Sequence, residues 1–359
     1  MLYSLAAQVD NLGDIAIRNA LLDWFASAPV QLHLYVAGVP ASYLDAFDLP
    51  PGARLHRGAL GFQTRLLGSA LRGGAVLVFA PGPLHVGRRR RDALKSLVNL
   101  VNALAVRARG GAVVAYGRSL RGEGALALGL ERALVGVADA FVVRDTSSGP
   151  VLGRQLRVEP DLAFHRSAPR TEPSGRGTLV LSFRGDRAPD EEGLRALVGA
   201  ARELGLRPCL VTQVQRDDAQ HLRLAGLLGV EVQAWGDRTH RQQLHAVLEL
   251  YAGASIVVSD RLHALVFGLR SGAVPLALPT PGSDKLTSTL GHLVELHTFD
   301  LQAPDAARQV LVEALERSAA VAEQVDAARV RLDGLRADLL AVLARSSSRG
   351  GSDGRTSDR

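Results

Sequence analysis

Four strand-to-helix turns in the chain carry side chains able to do chemistry, and the sharpest is Ile256-Val257-Val258-Ser259-Asp260-Arg261-Leu262-His263. An apolar strand ends there, and Arg261 and His263 fall at the first turn of a helix. A helix start has unsatisfied amides and a partial positive charge, so two basic side chains beside it make a concentrated anion site. The bland alternative is a capped helix with an incidental histidine. An earlier turn, Asn11-Leu12-Gly13-Asp14, precedes the helical run from Ile15. Gly13 permits close approach of backbone to a ligand, and Asp14 either caps the helix or offers a carboxylate to a hydroxyl. The third turn, Val143-Arg144-Asp145-Thr146-Ser147-Ser148, puts a guanidinium after a buried strand, either at the rim of a cleft or in a surface ion pair of little energy. The fourth, Gly82-Pro83-Leu84-His85, reads as a tight turn with a surface histidine.

Those turns need a scaffold, and the hydropathy pattern supplies one. Apolar runs at 2–9, 31–37, 75–79, 112–116 and 140–143 alternate with helical patterns such as 15–25 and 92–108. In the latter, Leu94, Leu97, Val98, Val101, Leu104 and Ala105 recur at helical spacing. After a Pro/Gly-rich linker the alternation restarts, with strands expected at 178–183, 208–212, 230–234, 255–258 and 273–278. Continuous apolar strands separated by helices are the pattern of parallel sheets covered on both faces. The expected architecture is α/β, with two Rossmann-like doubly wound domains facing a cleft. Boundaries are expected at 1–166, a linker at 167–177, a second domain at 178–303, C-terminal helices at 304–345 and a disordered tail at 346–359.

Composition narrows the class. At about 150 residues per domain, 359 residues suit two domains. The chain is 47 % hydrophobic and 22 % charged, ordinary for a globular protein, and 42 basic against 36 acidic residues leave +6. Scattered Arg and 4 % aromatics argue against a nucleic-acid partner. The single cysteine, Cys209, excludes a disulfide framework, and no cluster of His, Cys and carboxylates has metal-ligand spacing. The start Met1-Leu2-Tyr3-Ser4 lacks a basic region and no apolar run reaches membrane-spanning length, so a cytoplasmic protein is expected. The run Arg88-Arg89-Arg90-Arg91 is either a solvated helix start or a surface that meets anionic lipid headgroups or a lipid-phosphate-linked substrate. There is no G-x-S-x-G elbow, no phosphate-binding P-loop and no dinucleotide fingerprint.

Taken in order, these turns resemble the polysaccharide pyruvyl transferase family. The family's opening Asn-x-Gly-Asp is matched by Asn11, Gly13 and Asp14, and its Arg-Asp then Ser by Arg144, Asp145 and Ser148. Its Pro-Asp pair is matched by Pro160 and Asp161, and its Ser-x-Arg-Leu-His by Ser259, Arg261, Leu262 and His263, followed by Gly272 and Pro275. Lys285, Leu290 and Gly291 match its downstream Lys and Leu-Gly. One departure is Ala80-Pro81-Gly82-Pro83 where the family has a run of glycines, which bears on the acceptor contact.

The resemblance implies a GT-B-like fold and transfer of the enolpyruvyl unit of phosphoenolpyruvate to a sugar. The product would be a pyruvate ketal on a cell-wall or extracellular polysaccharide, or on its lipid-linked precursor, a chemistry associated with S-layer anchoring. Phosphoenolpyruvate is then a co-substrate, with no cofactor and no metal. Arg261, Arg144 and Lys285 are expected to bind the anionic donor, with Asn11, Gly13, Ser259 and Leu262 completing the substrate contacts. His263 is expected as the acid/base or phosphate-contacting group, and Asp14 to face the acceptor from the other domain. If the acceptor is lipid-linked, Arg88–Arg91 would dock the enzyme at the inner face of the membrane. The competing expectations are a nucleotide-sugar glycosyltransferase of the same fold and a catalytically silent scaffold.

Overall fold

The computed structural model describes residues 1–165, 176–279 and 284–350. Ten of its strands answer the ten apolar runs, and two parallel sheets result. The first comprises β1 (Leu2–Ser4), β2 (His33–Tyr35), β3 (Arg54–His56), β4 (Val76–Phe79), β5 (Gly82–His85), β6 (Ala112–Arg121), β7 (Ala140–Val143) and β8 (Arg157–Val158). Its order is β3-β2-β1-β4-β6-β7-β8, with β5 alongside the end of β6. The second comprises β9 (Thr178–Ser182), β10 (Arg207–Val211), β11 (Glu231–Gln233), β12 (Ala254–Ser259), β13 (Val274–Ala277) and β14 (His297–Thr298), in the order β11-β10-β9-β12-β13-β14. In the second sheet the winding reverses between β9 and β12, and ligands of such sheets bind beyond the carboxyl ends at that switch.

The strands that the apolar runs did not announce have physical reasons to be quiet. β3, β8 and β14 are sheet edges of two or three residues, and Arg54-Leu55-His56 needs no buried face on its outer side. Gly82–His85 is a strand and not the expected tight turn, pairing in parallel with Arg118–Arg121. Its His85 is exposed, as expected.

By their contacts the residues fall into two compact units that differ from the linear division. One holds Met1–Ala7, Ile17–Leu162 and the chain from Arg331; the other holds Gln8–Ala16 and Ala163–Val330. The Asn11–Asp14 turn, expected in the first domain, therefore belongs with the second. Most of the expected linker and the tail beyond Gly350 lie outside the described residues. The tail's first residues are not irregular: helix Ser318–Gly350 runs five residues past the expected end of the C-terminal helices.

The core of the first unit gathers Leu77, Phe79, Val113, Ala115, Leu120 and Val143 from its strands with Val106 and Leu134 from the covering helices. In the second unit the helix Leu262–Ser271 is buried along its whole length. A helix apolar over most of its surface belongs inside, and this one carries its polar side chains at its two ends, His263 at the start and Arg270 and Ser271 at the finish.

A buried histidine ties the second unit together. The Phe183 N–H donates to Nε2 of His221 at 2.9 Å, so Nδ1 carries the proton and donates to the Thr212 hydroxyl at 2.8 Å. Burial lowers its pKa to about 4. The neutral ring contributes stability that is full above about pH 6.5 and is lost as the pH falls towards 4, because the unfolded chain then binds the extra proton. The expected loss across that window is about 3 kcal/mol. His33, in the first unit, is also lowered by burial to about 4, so the comparison must be with His221→Gln. Urea denaturation at pH 7 and pH 4 should show a smaller pH dependence in the variant; equal dependence would contradict the assignment.

Candidate functional site

Four loops of the second unit converge near the carboxyl ends of β9 and β12. The first is the Asn11–Asp14 turn. The Asn11 side chain accepts the Gly13 N–H at 3.0 Å just before helix Leu12–Ala26, so Asn11 caps the helix and Asp14 does not. The turn is stitched to the segment after β10: Leu12 N–H donates to the Gln213 carbonyl at 3.1 Å, and Gln215 N–H to the Asp10 carbonyl at 2.8 Å. Those bonds bring Gly13 against the ring of His263. A Cβ placed on Gly13 would lie 1.8 Å from His263 Nδ1, so only glycine fits there with the imidazole in position. His263 and Asp14 are both nearly buried, and Asp14 lies in the first turn of its helix.

Arg261 is the residue before the helix Leu262–Ser271, and no side chain caps that helix. Its guanidinium has a carboxylate partner, Asp217. Nε lies 2.5 Å from Asp217 Oδ2 and Nη2 donates to Oδ1 at 2.5 Å, a side-on pair with the arginine side chain 12 % exposed. Asp217 Oδ1 also accepts the Gly185 N–H at 2.7 Å, tying the loop after β9 to the same carboxylate. A pair through Nε and Nη2 fixes the plane of the guanidinium and leaves the Nη1 edge for a second anion. Sequence reasoning missed Asp217, because nothing local links it to a residue 44 positions away.

Also missed is the loop Phe183-Arg184-Gly185-Asp186-Arg187. Its signal was available: two arginines follow the first strand of the second half, at the end of the sheet where ligands bind. Arg184, Arg187, Asp260 and Phe183 line a pocket of about 230 Å³ with Pro189, Leu278 and Phe299 among the other walls. Arg184 N–H donates to Asp260 at 3.0 Å, and its side chain is held by Asp186. Burial pushes the Asp260 carboxyl up, against the pull of that N–H and of Arg261, Arg184 and Arg187.

Other expected site residues have structural tasks. Arg144 does not stand at a rim. It is 1 % exposed, and Nη1 donates to Asp161 at 2.6 Å, so the Arg-Asp and Pro-Asp motifs meet as one buried ion pair. Asp145 is no surface partner either: it accepts Ser148 N–H and the Ser147 and Ser148 hydroxyls, each at 2.8 Å. Burial raises its pKa, but these bonds, with Ser119 and Arg121, outweigh that and hold it low. The Ser259 hydroxyl donates to the Ser182 carbonyl at 2.5 Å and accepts the Arg261 N–H at 2.9 Å, bridging β12 to β9 and shaping the turn. Leu262 is buried and offers its backbone at the helix start. Lys285 is exposed in the first turn of Asp284–Leu290. No group of three or more His, Cys, Asp or Glu among the described residues could hold a metal ion.

Two parallel doubly wound sheets with covering helices form a GT-B-like fold, and solved structures agree. Anabaena Alr3699/HepE in complex with UDP superposes with a TM-score of 0.56 at 13 % identity, over 96 % of this chain and 98 % of that one. UDP-GlcNAc 2-epimerase from Neisseria meningitidis bound to UDP-GlcNAc gives 0.54 at 9 % identity, over 93 % and 98 %. The pneumococcal O-GlcNAc transferase GtfA, in complex with UDP and GlcNAc, gives 0.50 at 13 %, over 80 % and 60 %. No curated protein sequence matches. Within that fold class the chain belongs to the polysaccharide pyruvyl transferase family, whose profile matches residues 11–280. The matched stretch contains the Asn11 turn, the Arg144–Asp161 pair and the Arg261–His263 helix start.

Proposed function

We propose that the protein transfers the enolpyruvyl unit of phosphoenolpyruvate to a sugar of a polysaccharide or its precursor, forming a pyruvate ketal. Beyond family membership, one observation carries the proposal: His263 and Arg261 share an uncapped helix start, with the imidazole against Gly13 and the guanidinium oriented by Asp217. A small donor bearing a phosphate and a carboxylate suits that arrangement. The first amides of the helix and the outer edge of Arg261 can take one anion, and Arg187 in the adjoining pocket offers a second cation. Lys285 is proposed as a further donor-side charge. Asn11, Gly13 and Leu262 serve through backbone and shape, Ser259 shapes the turn before Arg261, and Arg144 has its task in the buried pair with Asp161.

In the reaction a proton is delivered to C3 of the donor, C2 becomes electrophilic, and a sugar hydroxyl adds there and loses its proton. A second hydroxyl of the same sugar then closes on C2 as the C2–O bond to phosphate breaks, its proton passing to the departing phosphate, and the ketal is left. His263 is the proposed proton-transferring group, because an imidazole can both give up and take a proton and this one stands at the helix start beside Arg261. Asp14, in the same unit and not across from it, is proposed to orient the sugar hydroxyl. The acceptor is a glycan or a nucleotide-linked sugar, consistent with UDP-sugar complexes among the fold relatives. No helix among the described residues is long and apolar enough to cross a membrane.

Donor choice is tested by thermal unfolding. A hundredfold excess of phosphoenolpyruvate over its Kd should stabilise the protein by about 2.7 kcal/mol, with no such effect in Arg261→Ala. Stabilisation by UDP and none by phosphoenolpyruvate would replace the proposal with a nucleotide-sugar glycosyltransferase.

A further inference from the structure

The stripe on helix Arg90–Arg107 faces the solvent. Leu94, Leu97, Val98, Val101 and Leu104 are between 43 and 61 % exposed, whereas Ala103 and Val106 make the buried face. At about 100° per residue the five share one side of the helix. The flanking helices add to it: Ala59–Leu71 and Ala125–Val137 pack on either side and present Leu60, Leu67, Leu71 and Leu126 outwards. Among the described residues, nine of the twelve exposed large hydrophobic side chains thus lie on these three neighbouring helices. Single exposed leucines are ordinary; such a concentration on one face marks an interaction surface.

Charge says what kind. Arg88, Arg89, Arg90 and Arg91 are all exposed at the start of the central helix, with Lys95 one turn on. The only acidic residues on the three helices are Asp92 and Glu131, and Glu131 is fully buried. Arg88 meets Glu123 at 3.1 Å, but both side chains are 77 % exposed and the pair is weak. Between the central helix and Ala125–Val137 runs a groove of about 260 Å³ lined by Arg90, Ala93, Leu94, Leu97, Leu126 and Leu130. An apolar trough with an arginine at its mouth matches an acyl chain below an anionic headgroup.

We infer that this three-helix face lies on an anionic lipid surface, its leucines entering the headgroup boundary and the arginine run holding lipid phosphates. The inference does not depend on the donor or on the chemistry proposed above. A second copy of this chain fits the face less well. Antiparallel pairing of the central helices would set Arg88–Arg91 near Arg107 and Arg109, and parallel pairing would set the run against itself; both oppose like charges.

The test is co-sedimentation of the full chain with vesicles of phosphatidylcholine alone or mixed with phosphatidylglycerol. Binding is expected only to the mixed vesicles. Arg89→Ala/Arg90→Ala/Arg91→Ala should weaken it about a hundredfold at low salt, from about fivefold per arginine. Leu97→Gln/Val101→Gln should weaken it about tenfold or more, a loss that persists at high salt. Amide exchange in residues 90–107 of the unaltered protein should slow on the mixed vesicles, a readout that needs no variant. Absence of binding to mixed vesicles, or binding indifferent to both variants, would overturn the inference. So would a dimer that Leu97→Gln/Val101→Gln converts to monomer without any vesicle binding, since the face would then join two copies.

Discussion

His263→Gln is expected to lower the rate of pyruvyl transfer about 10²- to 10⁴-fold, with little change in donor affinity. Glutamine keeps a hydrogen-bonding group of similar reach but cannot gain and lose a proton near neutral pH. Proton delivery to C3 of the donor and removal from the attacking hydroxyl would both suffer, whereas anion binding by Arg261 and the helix amides would persist. Gly13→Ala supplies the independent arm. Its added Cβ would overlap the imidazole, so the ring must move. Misplacement of a catalytic group by about 1 Å can cost about a hundredfold. The added Cβ would also lie 2.7 Å from the His263 Cβ, which no rotamer change relieves, so a still cooperative melt at a lowered Tm is expected to accompany the slow rate. Steady-state kinetics on both variants checks this; wild-type kcat in His263→Gln would remove the histidine from the mechanism.

Asp161→Ala is expected to cost about 3–5 kcal/mol of stability, because it takes away the carboxylate that meets a 1 % exposed arginine at 2.6 Å. Taking two charges from water is expensive, and their attraction offsets that only while both are present. The prediction separates two meanings of the Arg144 motif. A buried pair that holds β7 to the segment after β8 shows its effect in urea denaturation and little in donor affinity for the folded fraction. A donor-binding arginine would show the reverse, with Arg144→Met folding as well as wild type and binding phosphoenolpyruvate poorly. That second outcome would contradict the structure's assignment.

The scaffold was largely legible because buried parallel strands must be apolar along their whole length. Ten runs announced ten strands, whereas the short edge strands β3, β8 and β14 carry no such demand and stayed silent. The helix start at Arg261 and His263 was legible for the same reason: an abrupt change from apolar to polar marks where a strand hands over to a helix. What the chain does not write locally is who meets whom. Asp217 pairs with Arg261, Asp161 with Arg144, and Gly13 seats His263 across about 250 positions of chain. None of these has a short-range signal, so Arg144 was expected at a cleft rim or in a surface pair, and the carboxylate that orients Arg261 was not foreseen. The central-helix stripe was legible as a stripe but not in its exposure. Periodicity shows that one side is apolar, and only packing shows whether that side is covered.

The decisive measurement is incubation of the protein with phosphoenolpyruvate and a panel of lipid-linked and nitrophenyl sugars, following phosphate release and acceptor mass together. A pyruvyl increment on one sugar with matching phosphate release is expected, both lost in His263→Gln. Hexose added from a nucleotide sugar, with no pyruvyl product on any acceptor tried, would contradict it.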